Sequence, residues 1–86
     1  MSEAVIAQIR QRLEQALAPT MLDIIDEGHQ HVGHASEGQG HYRVRIASAA
    51  FAGKPPLARH RLVYAAVDDL MGQGIHALAI EAGVPK

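Results

Sequence analysis

Histidines are the residues of this sequence whose type and spacing most clearly suggest chemistry. Six are present, and the glycine-rich segment GHQHVGHASEGQG holds His29, His31 and His34, with His41 directly after it. Imidazole is the commonest neutral metal ligand in proteins. The spacing matches neither the helical HExxH motif nor a CxxC zinc pattern. On their own, these histidines are therefore better interpreted as exposed polar residues of a loop.

His76 has a different setting, because it lies in the apolar segment IHALAI beside Leu78 and Ile80. A lone histidine there is more often a hydrogen-bonded core or edge residue than a ligand. The chain has no cysteine, so it has no thiolate with which to hold zinc or an iron–sulfur cluster unaided. It also has no nucleophile elbow, Walker loop, dinucleotide fingerprint or pair of catalytic carboxylates. No sequence pattern here indicates an enzyme.

The composition favours one small globular domain over residues 1–86, because 48% of the residues are hydrophobic and 20% are charged. Eight Lys and Arg against nine Asp and Glu give a net charge of −1, so any binding of nucleic acid would need a local basic patch. No apolar stretch approaches the ~20 residues of a membrane-spanning helix. The N-terminus lacks the pattern of a signal peptide. We expect a cytoplasmic protein.

The first half of the chain reads as one helix followed by two strands. Apolar residues at three- and four-residue intervals predict an amphipathic helix over Ser2–Leu17, which Pro19 ends. Met21–Asp26 predicts a short strand. Residues 41–48 predict a second strand, with Tyr42, Val44 and Ile46 towards the core and His41, Arg43 and Arg45 towards solvent. Residues 28–40, between the strands, predict a flexible loop rich in histidine and glycine.

The second half predicts a turn or short helical segment at residues 51–56 and a long helix over residues 57–71. The glycines of residues 72–74 suit the end of that helix, residues 75–80 predict a last strand, and residues 82–86 predict a frayed tail. The order is thus α-β-β-α-α-β. Because the crossover through the long helix makes the last two strands parallel, we predict an α/β (α+β) fold with a three-stranded mixed sheet covered on one face by helices.

Three segments in this order and spacing resemble the BolA family: IDEGHQHVGH, GHYRVRIASAAFAGKPPLARHRLVYAAVDDL and GIHALAI. The FxGK turn at residues 51–54, the RHRLVY start of a helix at residues 59–64 and the HALAI strand are the most specific parts. The resemblance covers almost the whole chain. It implies a fold like the class II KH domain, which agrees with the element order derived from the sequence pattern.

The resemblance also implies a partner, a monothiol glutaredoxin with a CGFS motif, in a heterodimer bridged by a [2Fe-2S] cluster. His76 corresponds to the family's C-terminal ligand. The second ligand comes from the loop, where His31 ranks first and His34 is the alternative. A glutaredoxin thiolate and glutathione would complete the ligand set, so we expect no cluster in the isolated protein, which would be a monomer or weak homodimer. Cluster trafficking or iron regulation is the implied role.

Two other functions stay open. A KH-like fold and the family's link to transcriptional control favour a nucleic-acid-binding regulator, although the KH phosphate-clamping GxxG loop has no good counterpart here. The basic residues that would serve such a function are Arg43, Arg45, Lys54, Arg59 and Arg61. The third possibility is a zinc-binding or purely structural adaptor that uses the histidine loop without a cluster.

Overall fold

The computed structural model of this protein describes residues 2–28 and 40–86. Its longer elements are helix α1 (Ser2–Leu17), strand β1 (Met21–Asp26), strand β2 (His41–Ala47), helix α2 (Pro56–Ala66) and strand β3 (Ala77–Gly83). Two short 3-10 helices, Ala49–Phe51 and Asp68–Leu70, flank α2. The predicted α+β order is confirmed. The short helical segment after β2 is a 3-10 helix at Ala49–Phe51, earlier than the predicted residues 51–56.

The three strands form one mixed sheet in the order β1-β2-β3. Strands β1 and β2 are antiparallel, with Met21 opposite Ala47. Strands β2 and β3 are parallel, with His41 opposite Ala77. The chain passes from β2 to β3 through α2, and the parallel pairing predicted from that crossover is confirmed.

The core lies between one face of the sheet and the helices. Strand β2 alternates between buried and more exposed residues, as expected for a strand with one face on a core. The buried apolar cluster consists of Ile9, Leu13, Leu17, Tyr42, Val44, Ile46, Phe51, Val63, Val67, Leu70, Ile75 and Leu78. Both helices contribute to this cluster, so the prediction of helices covering one sheet face is confirmed.

Helix α2 is shorter than the sequence pattern predicted. It ends at Ala66, because Val67 has φ −112° and ψ 16°, outside the helical region. Val67 and Leu70 are nevertheless buried, since the following 3-10 turn keeps their side chains on the core. The apolar spacing therefore continues past the end of the α-helix, and the predicted end at residue 71 is wrong.

The boundaries of β3 also differ from the prediction of residues 75–80. Ile75 forms an isolated bridge with Met71 and precedes the strand. At the other end, Ala82 pairs with Ile46 and Gly83 pairs with Ala47. Residues 82 and 83 are therefore part of the strand and not of a frayed tail.

Strand β2 ends one residue earlier than predicted, at Ala47. Ser48 leaves the strand because its side chain has two local partners: it donates a hydrogen bond to the Leu17 carbonyl oxygen and accepts one from the Ala50 N–H. The hydroxyl thus caps the 3-10 helix Ala49–Phe51. Ser48 and its hydrogen bond to Leu17 are buried, and the hydrogen bond from Ala50 is partly buried.

No helix within the described ranges has the length and apolar character needed to cross a bilayer.

Candidate functional site

His76 lies immediately before β3 and its side chain is exposed. Its backbone N–H donates to the Gly40 carbonyl oxygen at 2.8 Å, and the Ala77 N–H donates to the same oxygen at 3.1 Å. The sequence pattern predicted His76 within the last strand, where a core or edge role was the more common interpretation. Both points need correction, because His76 precedes the strand and is open to solvent.

The close approach at this position requires glycine. Gly40 has φ +75°, in the left-handed region, and a Cβ there would lie 2.8 Å from the Gly74 carbonyl oxygen and 2.9 Å from the His76 nitrogen. Gly40, Gly74 and His76 also line an open depression together with Gly72 and Ile75. The glycines therefore let two chain segments meet beside the His76 imidazole and leave that side chain accessible.

The His41 ring stacks on the His76 ring. The two ring centroids are 5.4 Å apart and the ring planes differ by 15°, which is within the range of offset aromatic pairs. His41 begins β2 directly opposite Ala77, so the parallel register brings it next to the residue before Ala77. The alternation of β2 predicted His41 on the solvent face but not at the site, because only the register reveals the pair.

Both ends of the histidine-rich segment are anchored near this pair. The Glu27 N–H donates to the His41 carbonyl oxygen at 2.9 Å, and the Gly28 N–H donates to the Asp26 carboxylate at 2.8 Å. The other end, Gly40, is bonded to His76 as described. His29, His31 and His34 lie outside the described residues, so ligation by His31 or His34 stays a prediction.

An ion-pair network crosses the sheet face opposite the core. Arg43 on β2 donates to Glu27 at 2.8 Å and to Glu81 on β3 at 2.9 Å, and Arg45 lies 3.4 Å from Glu81. These hydrogen bonds, with Glu27 first and Glu81 second, raise the pKa of Arg43 above its ordinary value. The network links Glu27, the residue after β1, to β2 and through β2 to β3, and it offsets the arginine charges.

The remaining predicted basic residues belong to the helical side of the fold. The Arg59 guanidinium donates to the Lys54 carbonyl oxygen at 2.7 Å and to the Ala82 carbonyl oxygen at 3.1 Å, and Arg61 follows on the same helix. Because Arg43 and Arg45 lie on the opposite sheet face, the five basic residues are divided between two layers. Nucleic-acid binding by them stays a prediction.

Within residues 2–28 and 40–86 no group of three or more His, Asp or Glu side chains is arranged to hold a metal ion. The His41–His76 pair supplies imidazole, and the whole sequence supplies no thiolate. An iron–sulfur cluster accepts imidazole on one iron but needs thiolate elsewhere. The described residues would therefore fit only part of a cluster's ligand set, and a cluster bound here would need thiolate from outside this chain.

Comparison with known proteins gives one consistent family. A family model described as BolA-like protein matches residues 13–86. BolA-like protein 1 of Homo sapiens is 46% identical over 81 residues, which cover 92% of this chain and 57% of the human protein. The DNA-binding transcriptional regulator BolA of Vibrio cholerae is 41% identical over 73 residues, which cover 84% of this chain and 67% of that protein.

The BolA domain of SufE1 from Arabidopsis thaliana has a similar solved structure, with a TM-score of 0.80 and 43% sequence identity. The match covers 92% of this chain and 90% of that domain. The SufE-like protein 1 of Arabidopsis thaliana, described as chloroplastic/mitochondrial, is 41% identical over 85 residues. This chain spans 91% of its own length in that match but only 23% of the relative.

Proposed function

The chain belongs to the BolA-like protein family, and from this premise we propose that it is a non-enzymatic partner of a monothiol glutaredoxin. In this proposal it lends histidine ligands to a [2Fe-2S] cluster held between the two proteins. His76 is one ligand. His31 is the second, with His34 as the alternative. The role of such a complex is the trafficking of clusters or the regulation of iron.

The observation that carries the proposal is the position of both ends of the histidine-rich segment. Gly40 is bonded to the His76 backbone at 2.8 Å, and Glu27, next to Gly28, is bonded to His41 at 2.9 Å. An extended chain spans at most about 3.6 Å per residue, so the three-residue separation of His31 from Gly28 gives a reach of at most about 11 Å. Covalent reach thus permits a loop imidazole to meet that of His76.

The chemistry of the donor set explains why a partner is required. This chain can offer imidazole nitrogen but no thiolate, since it has no cysteine. Two imidazoles on one iron are accepted by Rieske-type centres, whose other iron takes thiolates. One thiolate from the glutaredoxin and one from glutathione complete such a set. The cluster, when bound, supplies the iron and sulfide that a recipient protein would receive.

A titration with a cluster-loaded monothiol glutaredoxin tests the proposal. We expect a 1:1 complex with a changed visible absorption and circular dichroism spectrum, a change lost in His76→Ala and reduced in His31→Ala. His60→Ala is the matched control, because His60 lies on α2. If His76→Ala and His31→Ala both give the wild-type spectrum, the ligand assignment is wrong.

The second candidate function is regulation through nucleic acid, favoured by the similarity to the DNA-binding transcriptional regulator BolA of Vibrio cholerae. The ion pairs of Arg43 and Arg45 with Glu81 weaken this candidate, because they offset charge that phosphate contacts would use. A salt-sensitive shift of DNA, abolished by the double substitution Arg59→Ala and Arg61→Ala, would support it. Unchanged DNA binding in that variant would exclude the α2 residues from this role.

A cytoplasmic location remains part of the proposal. The name of the Arabidopsis thaliana relative gives a chloroplastic/mitochondrial location for that protein. Fractionation of cells that produce this chain, with immunoblotting, would decide between a cytosolic and an organellar or membrane fraction.

A further inference from the structure

We propose that His41 and His76 form a two-histidine site for a borderline divalent cation such as Zn²⁺ or Ni²⁺ in this chain alone. The site needs no glutaredoxin and no loop residue, so it does not rest on the function proposed above. It assigns a ligand role to His41, which sequence analysis left on the solvent face.

The separation of the two rings suits a shared ion. Two imidazoles bound to one tetrahedral ion through bonds of 2.0–2.1 Å have ring centroids ~5 Å apart. The centroids of His41 and His76 are 5.4 Å apart. The rings are nearly parallel, at 15°, and rotation about χ2 turns their nitrogens towards each other. The χ2 torsion of histidine has broad energy minima.

The backbone at both residues is held in place before any ion binds. His76 donates its N–H to Gly40, and His41 accepts at its carbonyl oxygen from Glu27. His41 is also fixed by the strand register that places it opposite Ala77. Because the two side chains start from fixed positions on neighbouring segments, little chain ordering opposes chelation. A pre-set pair should therefore bind an ion more tightly than two independent histidines.

The surroundings of the pair are open and electrostatically tolerant of a cation. His76 is exposed and borders the depression lined by Gly40, Gly72, Gly74 and Ile75, so water can fill the remaining coordination positions. The nearest cation along β2 on the same face is Arg43, which is paired with Glu27 and Glu81. These carboxylates reduce the repulsion that a divalent ion would otherwise meet.

Calorimetric titration of the isolated chain with NiCl₂, and separately with ZnCl₂, tests the pair. We expect His41→Ala and His76→Ala each to weaken binding at least tenfold. The double variant should bind little more weakly than either single variant, since one remaining imidazole no longer chelates. His60→Ala should bind as the wild type does. An unchanged affinity in His41→Ala overturns the proposal, and a loss caused only by His31→Ala or His34→Ala does the same.

The substitution His41→Phe separates ligation from stacking. Phenylalanine keeps an aromatic ring beside His76 but has no nitrogen, so we expect it to bind ions as weakly as His41→Ala. Wild-type affinity in His41→Phe would leave His41 as a stacking surface only and would contradict the proposal.

Ring NMR signals of the wild-type chain give a test that needs no variant to fold. We expect Ni²⁺ to broaden the ring signals of His41 and His76 together and to leave those of His60 sharp. Broadening of His76 without His41 would overturn the proposal. Because no glutaredoxin is present, either result is independent of cluster binding, and failure of the glutaredoxin titration alone would overturn only the proposed function.

Discussion

The carbonyl oxygen of Gly40 accepts a hydrogen bond from the backbone N–H of His76 at 2.8 Å. This bond joins the end of the histidine-rich segment to the residue before β3. The position of the His76 imidazole therefore depends on a backbone contact that only a residue without a side chain can make. The same contact sets the start of the parallel pairing between β2 and β3.

Replacement of Gly40 by alanine should disrupt this contact. A Cβ at Gly40 would lie 2.8 Å from the Gly74 carbonyl oxygen, whereas a Cβ at Gly53 would have no atom within 4 Å. Both glycines have similar positive φ values, +75° and +74°, so both substitutions carry a backbone cost of about 1–2 kcal/mol. We expect Gly40→Ala to lower the free energy of unfolding by at least about 1 kcal/mol more than Gly53→Ala.

Urea denaturation of the two alanine variants measures this difference. Equal free energies of unfolding would mean that the chain at Gly40 can accommodate a Cβ with no loss of stability. The close approach of Gly40 to Gly74 and His76 would then have no structural importance.

The ion pair between Arg12 on α1 and Asp69 in the second 3-10 helix should make stability depend on pH. Arg12 Nη2 lies 2.9 Å from the Asp69 carboxylate, and the hydrogen bond from Arg12 lowers the pKa of Asp69 in the folded state. A carboxyl group with a lowered folded pKa contributes stability above its unfolded pKa and loses it as pH falls through the folded pKa.

We therefore expect Asp69→Asn to destabilise the protein slightly at neutral pH and to reduce the loss of stability on acidification. Asp68→Asn is the matched control, because it removes the adjacent charge and leaves the Arg12–Asp69 pair intact. Thermal unfolding between pH 7 and the acid range gives the comparison. Identical pH profiles for Asp69→Asn and the wild type would show that the pair contributes nothing.

The phenol of Tyr64 should anchor α2 to β3. Its hydroxyl donates to the Leu78 carbonyl oxygen at 2.9 Å, two residues after His76. A hydrogen bond of this kind contributes about 0.5–1.5 kcal/mol net, so we expect Tyr64→Phe to lower the free energy of unfolding by that amount. Leu57→Ala, on the same helix with 62% of Leu57 exposed, should change it by less than about 0.5 kcal/mol. If chemical denaturation ranks the two variants in the reverse order, the anchoring role is wrong.

The sequence predicted well those elements whose hydrophobic spacing and helix-breaking residues indicate the same boundaries. Helix α1 and strand β1 have the predicted bounds, because Pro19 separates a helical spacing from a short strand. Helix α2 was predicted too long, since Val67 and Leu70 keep a helical spacing while the backbone changes to a 3-10 turn. Hydrophobic spacing reports which side chains are buried and does not distinguish these two backbones.

The site was predicted only in part, because it depends on strand pairing between residues that are far apart in the sequence. His76 was singled out from the sequence, but its stacking on His41 depends on the register that sets His41 opposite Ala77. No local pattern contains that register, because a helical crossover separates His41, the first residue of β2, from His76, the residue before β3. The same cause explains the end of β3, where Ala82 and Gly83 are ordered by pairing with Ile46 and Ala47.

Pulsed electron paramagnetic resonance of the reduced complex with glutaredoxin tests the central claim most directly, because it detects nitrogen bonded to iron. With the wild-type chain, we predict strong nitrogen couplings from directly bound imidazole, with the isotope pattern changing when this chain alone carries ¹⁵N-histidine. His76→Ala should lose the coupling of one imidazole and keep at most that of the loop histidine, and His60→Ala should keep both. The absence of an isotope-sensitive coupling in the wild-type complex, or an unchanged set of couplings in His76→Ala, would contradict the account.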